Sequence, residues 1–178
     1  KVSKIIFKVP FNEVKVMWGS GATNPIVYPK TSRFLEGYVY GIKDGSIQRL
    51  PASGYGLSAI HTNSTILYQK QSDGGLKSYL WKKETGTTDR LFLSFFPEKC
   101  TFSNSGYSLY CGFSNNDQDM EFPDNWYRGE KRFSDGLWVT DTTTNESKFL
   151  VNLTEESGRE IDVIHITNSE KALYFMNK

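Results

Sequence analysis

The chain has 178 residues, with 21 Lys and Arg against 20 Asp and Glu, so its formal net charge is only +1. This length supports one domain with a sizeable core, and a nucleic-acid-binding protein would normally show a basic excess. Aromatic residues make up 15% of the chain, which favours strands over helices, and the longest strongly apolar run, LFLSFF at 91–96, is far too short to span a membrane.

The predicted elements begin with an outer strand at residues 1–10, KVSKIIFKVP. Four apolar runs that each carry a tyrosine then follow along the chain, three of them directly after an Asn-Ser turn. The tyrosines are Tyr28, Tyr68, Tyr110 and Tyr174, with separations of 40, 42 and 64 residues. A second aromatic motif alternates with the first, at Tyr40, Trp81 and Trp138. The sequence therefore contains a repeat of about forty residues.

A period near forty with four short strands, a to d, in each unit is typical of a β-propeller blade. Asp-Gly and Thr-Gly pairs between the strands add hairpin signals. We predict an all-β fold, a β-propeller fragment of about three and a half four-stranded blades, half of a larger propeller, because propellers close with about 4–8 blades. The alternative is an unrelated all-β sandwich. The predicted units are strand d at 1–10, blades at about 13–50, 57–96 and 99–152, and a partial blade at 161–178.

The third blade contains extra residues, because the intervals from Tyr110 to Tyr174 and from Trp81 to Trp138 both exceed the repeat. Both excesses fall between strands b and c, at about 114–134. In an antiparallel blade the b–c and d–a connections leave the sheet at the same end. We therefore expect this insertion on the face that also carries the d–a loops. A loop of this length is typically functional or disordered, and its aromatic residues argue against disorder.

Several motifs in the second half resemble a known family. PEKC at 97–100, PDNWYRG at 123–129 and FSDGLW at 133–138 are similar to segments of propeller proteins from candidate-phyla bacteria, as are IDV at 161–163 and LYFMNK at 173–178. Those proteins are themselves similar to TolB- and WD40-type propellers and have no assigned activity. The resemblance implies a propeller fold and an N-terminal membrane helix upstream of this segment.

The two cysteines, Cys100 and Cys111, fall on opposite sides of the NSGY turn. Pairing Ser103 with Ser108 around this turn also places Cys100 opposite Cys111, at a separation compatible with a disulfide. The alternative is two buried free thiols that act as small hydrophobes. A disulfide would indicate an extracytoplasmic location, at the cell surface or on a membrane anchor.

Two parts of the insertion are candidate sites. Its acidic tip places Asp117, Asp119 and Glu121 at alternate positions, which is a weak calcium pattern without the glycine that a calcium loop needs. The following stretch contains the candidate interaction or structural residues Asp124, Trp126, Tyr127, Arg128 and Phe133.

Two interpretations of that stretch are possible. Either the aromatic residues pack on the blade and Asp124 or Asp135 pairs with Arg128, or they stay exposed as binding anchors, since Trp, Tyr and Arg are enriched at binding hot spots. We favour the packed loop, with residues 115–121 free to touch a partner.

The chain contains no recognisable catalytic motif, and we predict no cofactor. The expected function is a non-catalytic binding or scaffold module at the cell surface, which interacts with a protein. That partner is the remaining half of its own propeller or a surface assembly. The alternatives are a propeller that gates a larger hydrolase and a purely structural spacer.

Overall fold

The computed structural model describes residues 7–8, 12–114, 121–169 and 171–178. Within these ranges the chain forms strands joined by turns, and its helices are one or two turns long. The predicted strand over 1–10 lies mostly outside the described residues. The strands are β1 (Val14–Met17), β2 (Ile26–Pro29), β3 (Glu36–Lys43), β4 (Ser46–Tyr55), β5 (Ser58–His61), β6 (Thr65–Ser72), β7 (Gly75–Lys82), β8 (Thr88–Arg90), β9 (Cys100–Phe102), β10 (Ser108–Phe113), β11 (Gly136–Asp141), β12 (Ser147–Asn152), β13 (Val163–Asn168) and β14 (Leu173–Asn177).

These strands form sequential antiparallel sheets, which confirms the predicted fold class. Strands β1–β4, β5–β8 and β9–β12 each form a four-stranded sheet with neighbours in chain order, and β13 pairs with β14. We number the sheets blades 1 to 4. The described sheets do not close into a ring. Blade 1 extends to Tyr55, beyond the expected end near residue 50, because β4 continues past a register shift opposite Tyr38 and Tyr40.

Two hairpin turns show why the local sequence folds in this way. Asp44 and Gly45, between β3 and β4, both have positive φ, of 50° and 75°. Asp73 and Gly74, between β6 and β7, have φ values of 47° and 77°. A two-residue turn with positive φ at both positions matches the twist of the strands it joins, and Asp-Gly is among the sequences that adopt it most readily.

Within the described residues, the core consists of three layers between successive blades. Tyr28 and Val39 of blade 1 pack against Leu57 and Ile66 at the start of blade 2. A second layer joins the other face of blade 2 to blade 3, and a third joins blade 3 to blade 4. Each sheet is therefore covered by its neighbour, as in a propeller, and not by one opposing sheet as in a sandwich.

The four repeated tyrosines all lie on the second strand of a blade, but the side chain of Tyr68 lies on the opposite face of its sheet from the side chains of Tyr28 and Tyr110. Tyr28 and Tyr110 pack towards the following blade, whereas Tyr68 shares the layer between blades 1 and 2 and therefore faces the preceding one. In blade 2 only two residues separate Asn-Ser from Leu-Tyr, whereas blades 3 and 4 have three. Because side chains alternate along a strand, a shift of one residue moves the ring to the other face.

In the described part of the chain, three short helical segments lie between the strands. A 3₁₀ turn, Pro97–Lys99, leads into β9, α1 (Asp124–Tyr127) lies in the insertion, and α2 (Leu153–Ser157) follows β12. The side chain of Asn152 caps α2 by accepting hydrogen bonds from two backbone N–H groups of its first turn. No helix among the described residues is long and apolar enough to cross a membrane.

Candidate functional site

The insertion connects β10 to β11 and folds back onto its own blade. Trp126 is only 3% exposed, and its ring packs edge-on against Phe96 at a centroid distance of 5.1 Å. Phe122 contacts Phe96 at 4.9 Å and Phe133 at 5.5 Å, again edge to face. Phe96 belongs to the d–a loop between blades 2 and 3. The structure thus has the packed arrangement of this stretch, on the expected face.

Several polar contacts fix the insertion to the rest of the chain. Trp126 Nε1 donates a hydrogen bond of 2.9 Å to Asp162 Oδ2 in blade 4. Tyr127 donates its hydroxyl proton to the carboxylate of Glu98, and burial together with that carboxylate raises the pKa of Tyr127. Asp124 accepts a 3.0 Å hydrogen bond from the backbone N–H of Arg33 in blade 1. The insertion therefore connects three blades.

A buried group of charges lies beneath the aromatic residues. Lys99 Nζ is 2.7 Å from Asp135 Oδ2 and 2.5 Å from Asp162 Oδ1, and all three side chains are almost fully buried. Asp135 Oδ2 also accepts a 2.8 Å hydrogen bond from the backbone N–H of Val163. Burial raises the pKa of Asp135, and the positive charge of Lys99 opposes this. We call these three residues the buried triad. They join the start of β9, the end of the insertion and the start of blade 4.

The predicted pairing of Arg128 with Asp124 or Asp135 is wrong. Arg128 is half-exposed and instead pairs with Glu130 at 2.7 Å and with Glu121 at 3.4 Å. Asp124 accepts a hydrogen bond from the backbone N–H of Arg33, and Asp135 forms an ion pair with Lys99. Arg128 lies on the solvent side of the insertion and pairs with two glutamates near it in sequence, whereas Asp135 is buried against Lys99 and the start of blade 4.

Of the three acidic residues of the tip, the structure describes only Glu121. Asp117 and Asp119 lie outside the described residues, so the calcium prediction stays a prediction. Glu121 is described and is paired with Arg128. Among the described ranges, no cluster of three or more His, Cys, Asp or Glu side chains has the arrangement of a metal site.

Cys100 and Cys111 form a disulfide between β9 and β10, with a Cα–Cα distance of 4.1 Å. They lie directly opposite each other, and Phe102 pairs with Leu109 in the same register. This is the register that the NSGY turn predicts. Both cysteines are buried in the layer between blades 2 and 3.

A cleft of about 560 Å³ opens on the face that carries the insertion, between blades 2 and 3. Its volume lies within the range of roughly 300–1,000 Å³ that is usual for ligand pockets. The cleft is lined by Gln69, Gln71 and Leu76 from blade 2, by Phe92 and Phe96 from the d–a loop, by Phe113, Phe122, Phe133 and Asp135 from blade 3, and by Arg33 and Phe34 from the b–c loop of blade 1.

The rim of this cleft exposes large apolar side chains. Phe92 is 94% exposed and Phe34 is 72% exposed, and Leu35 is exposed beside Phe34. Loops of blades 1 and 2 supply these residues, so the rim is built from separate parts of the chain. We call the cleft and this rim the cleft face.

Sequence reasoning missed both the buried triad and the cleft. Lys99, Asp135 and Asp162 lie within three of the motifs that carry the family resemblance, but nothing in their spacing showed that they meet. A lysine in the apolar surroundings of PEKC was an available signal, since a lysine is rarely buried without a partner.

Neither a protein-family model nor a curated protein sequence matches this chain. Among solved structures, the chain is similar to TolB from Acinetobacter baumannii, with a TM-score of 0.54 and 12% sequence identity. The match covers 91% of this chain and 40% of that chain, so this chain spans about two fifths of the length of its structural neighbour. At this identity the likeness concerns the fold alone. The chain therefore has the fold of a TolB-like β-propeller fragment.

Proposed function

We propose that this protein is a non-catalytic binding module that holds a protein partner on its cleft face. The observation that carries the proposal is the exposure of Phe34 and Phe92 at the mouth of a cleft whose floor is polar. Exposed large aromatics beside a pocket are characteristic of interaction sites, because they provide the apolar anchors that dominate binding energy.

The polar groups beneath the face support binding rather than chemistry. Lys99 is held between two carboxylates, and Tyr127 is held by Glu98. A general acid or base must exchange its proton with a substrate. Asp135 instead has its charge paired with Lys99, and the hydroxyl proton of Tyr127 is donated to Glu98, so these groups are suited to holding loops in place. We accordingly propose that this segment performs no chemistry of its own.

We further propose that the protein acts outside the cytoplasm and belongs with the candidate-phyla propellers that its motifs resemble. The disulfide supports export, because such bonds persist in oxidising compartments. Alkylation of thiols in freshly lysed native cells tests this proposal. We expect Cys100 and Cys111 to be protected until a reductant is added, and labelling without reductant would contradict export.

Site-specific photo-crosslinking in the native cells tests the binding function. We would place a benzophenone amino acid at Phe34, at Phe92 and, as a matched control, at Tyr107. Tyr107 is also exposed but lies in the a–b turn of blade 3, at the opposite end of the sheets. We expect adducts of a defined protein mass from Phe34 and Phe92 and none from Tyr107. Equal adducts at all three positions, or none at Phe34 and Phe92, would refute the proposed face.

A further inference from the structure

We propose that the cleft binds an extended peptide segment of the partner, with an apolar side chain between the phenylalanines and acidic residues beside it. This inference rests on the proposed binding function and names the kind of ligand that the same site takes. It follows from the atoms at the floor of the cleft, the residues of its walls and the charges at its rim.

The floor contains two polar groups with unused hydrogen-bonding capacity. Gln69 is 1% exposed, and its Nε2 has no hydrogen-bond partner among the described residues. Asp135 is equally buried, and its Oδ1 has no such partner either, because both the Lys99 and the Val163 hydrogen bonds go to Oδ2. Buried polar atoms without partners are rare in folded proteins, and both residues line the cleft, so they point to a ligand towards which the two side chains turn to satisfy both atoms.

A peptide backbone offers the matching pair of groups. Its carbonyl oxygen can accept from Gln69 Nε2, and its N–H can donate to Asp135 Oδ1, without bringing a charge to the floor. A free carboxylate there would face Asp135, and a free ammonium group would face Lys99, which already lies between two aspartates. The arrangement of charges therefore favours a neutral amide at the floor over either ion.

The walls select an apolar side chain. Phe96, Phe122 and Phe133 form a continuous edge-to-face group, and Phe113 packs against Phe95 at 5.4 Å on the side of blade 3. Rings fixed by such contacts lose little freedom when a ligand binds, so they form a preorganised surface. Phe34 and Phe92 at the mouth can then cover an inserted side chain from outside.

The rim carries a cation, Lys77. Among the described residues that line the cleft, the one carboxylate, Asp135, is already neutralised by Lys99. Acidic residues beside the inserted side chain would lie near Lys77. Attraction between partly exposed charges is screened by salt, so the acidic preference should weaken as ionic strength rises.

The experiment measures fluorescence polarisation of the full chain with four pools of labelled, end-capped hexapeptides. Three pools have Phe-Leu at the centre, flanked by acidic, basic or neutral polar residues, and the fourth has Ala-Ala flanked by acidic residues. We expect the acidic Phe-Leu pool to bind most tightly. The Ala-Ala pool should bind at least about tenfold more weakly, the size of effect expected for loss of an apolar anchor.

Variants then assign this binding to the cleft. Phe34→Ala/Phe92→Ala should weaken binding of the acidic Phe-Leu pool by about tenfold or more, whereas Tyr107→Ala should leave it unchanged. Lys77→Glu should reduce the difference between the acidic and basic pools. Gln69→Leu should weaken binding of every pool that binds the wild type, since the donor at the floor is lost.

Three results would overturn the inference: equal binding of the acidic and basic pools, equal binding of the Phe-Leu and Ala-Ala pools, or the same effect from Phe34→Ala/Phe92→Ala as from Tyr107→Ala. If the peptides fail to bind while crosslinks at Phe34 and Phe92 persist, the partner presents a folded surface. The peptide inference is then wrong and the binding function stands. If both fail, the cleft face is not a binding site.

Discussion

Replacement of Trp126 by alanine is the most direct test of the packed insertion. The ring is buried against Phe96, and its Nε1 donates to the buried carboxylate of Asp162. Truncation of a buried Trp typically costs about 3–5 kcal/mol of unfolding free energy. We expect the upper part of that range, because Asp162 also loses a donor in a place where water cannot replace it.

Urea unfolding followed by far-ultraviolet circular dichroism measures this loss. For an m value of about 2 kcal/mol/M, a decrease of about 4–5 kcal/mol moves the midpoint down by roughly 2–2.5 M. Domains are stable by only about 5–15 kcal/mol, so the alanine variant could lie close to unfolding. Trp126→Phe keeps most of the apolar contact and removes only the N–H, and we expect it to lose about 1–3 kcal/mol.

Trp18→Ala is the matched control, because Trp18 is largely exposed on blade 1. It should change the unfolding free energy by no more than about 0.5 kcal/mol. A loss below about 1 kcal/mol for Trp126→Ala, with an unchanged m value, would refute the packed insertion. The ring would then contribute little to stability, and the aromatic stretch would be better explained as a recognition loop.

Lys99→Met should cost about 3–5 kcal/mol at pH 7, because it leaves two buried carboxylates without their cation. Part of the lost unfolding free energy should return at pH 5, because the buried carboxylates of the folded variant then bind protons more readily than those of the unfolded chain. An equal loss at both pH values, or a similar loss for exposed Lys148→Met, would contradict the triad. Cys100→Ala/Cys111→Ala should lower the unfolding free energy measured in urea by just under about 3 kcal/mol, because the two cysteines are 11 residues apart. An unchanged midpoint would show that the disulfide does not constrain the unfolded chain. Burial lowers the pKa of His61, so the unfolded state binds more protons as the pH falls below about 6.5 and the melting temperature should drop from pH 7 to pH 5.5. His61→Gln should flatten that slope, and parallel profiles would rule His61 out as its source.

The sequence by itself determined the features that depend on neighbours along the chain. The blade pattern follows from strand alternation and hairpin turns, and the position of the disulfide follows from the register of one turn. The position of the insertion between strands b and c of the third blade follows from the longer spacing of the repeated aromatic residues there. Even the orientation of Tyr68 could have been derived, because Asn-Ser and Leu-Tyr are one residue closer in blade 2 than in blades 3 and 4.

Only the tertiary structure decided which distant side chains meet. Lys99, Asp135 and Asp162 come from three separate motifs, and they form one charge group because blades 3 and 4 pack face to face with the insertion over them. The cleft likewise combines loops of blades 1, 2 and 3. Strand periodicity fixes which face of a sheet a residue occupies, but the stacking of successive blades sets the neighbour across that face. For the same reason Arg128, which is closer in sequence to Asp135 than Lys99 is, remains in solvent, while Lys99 is buried with its two carboxylates.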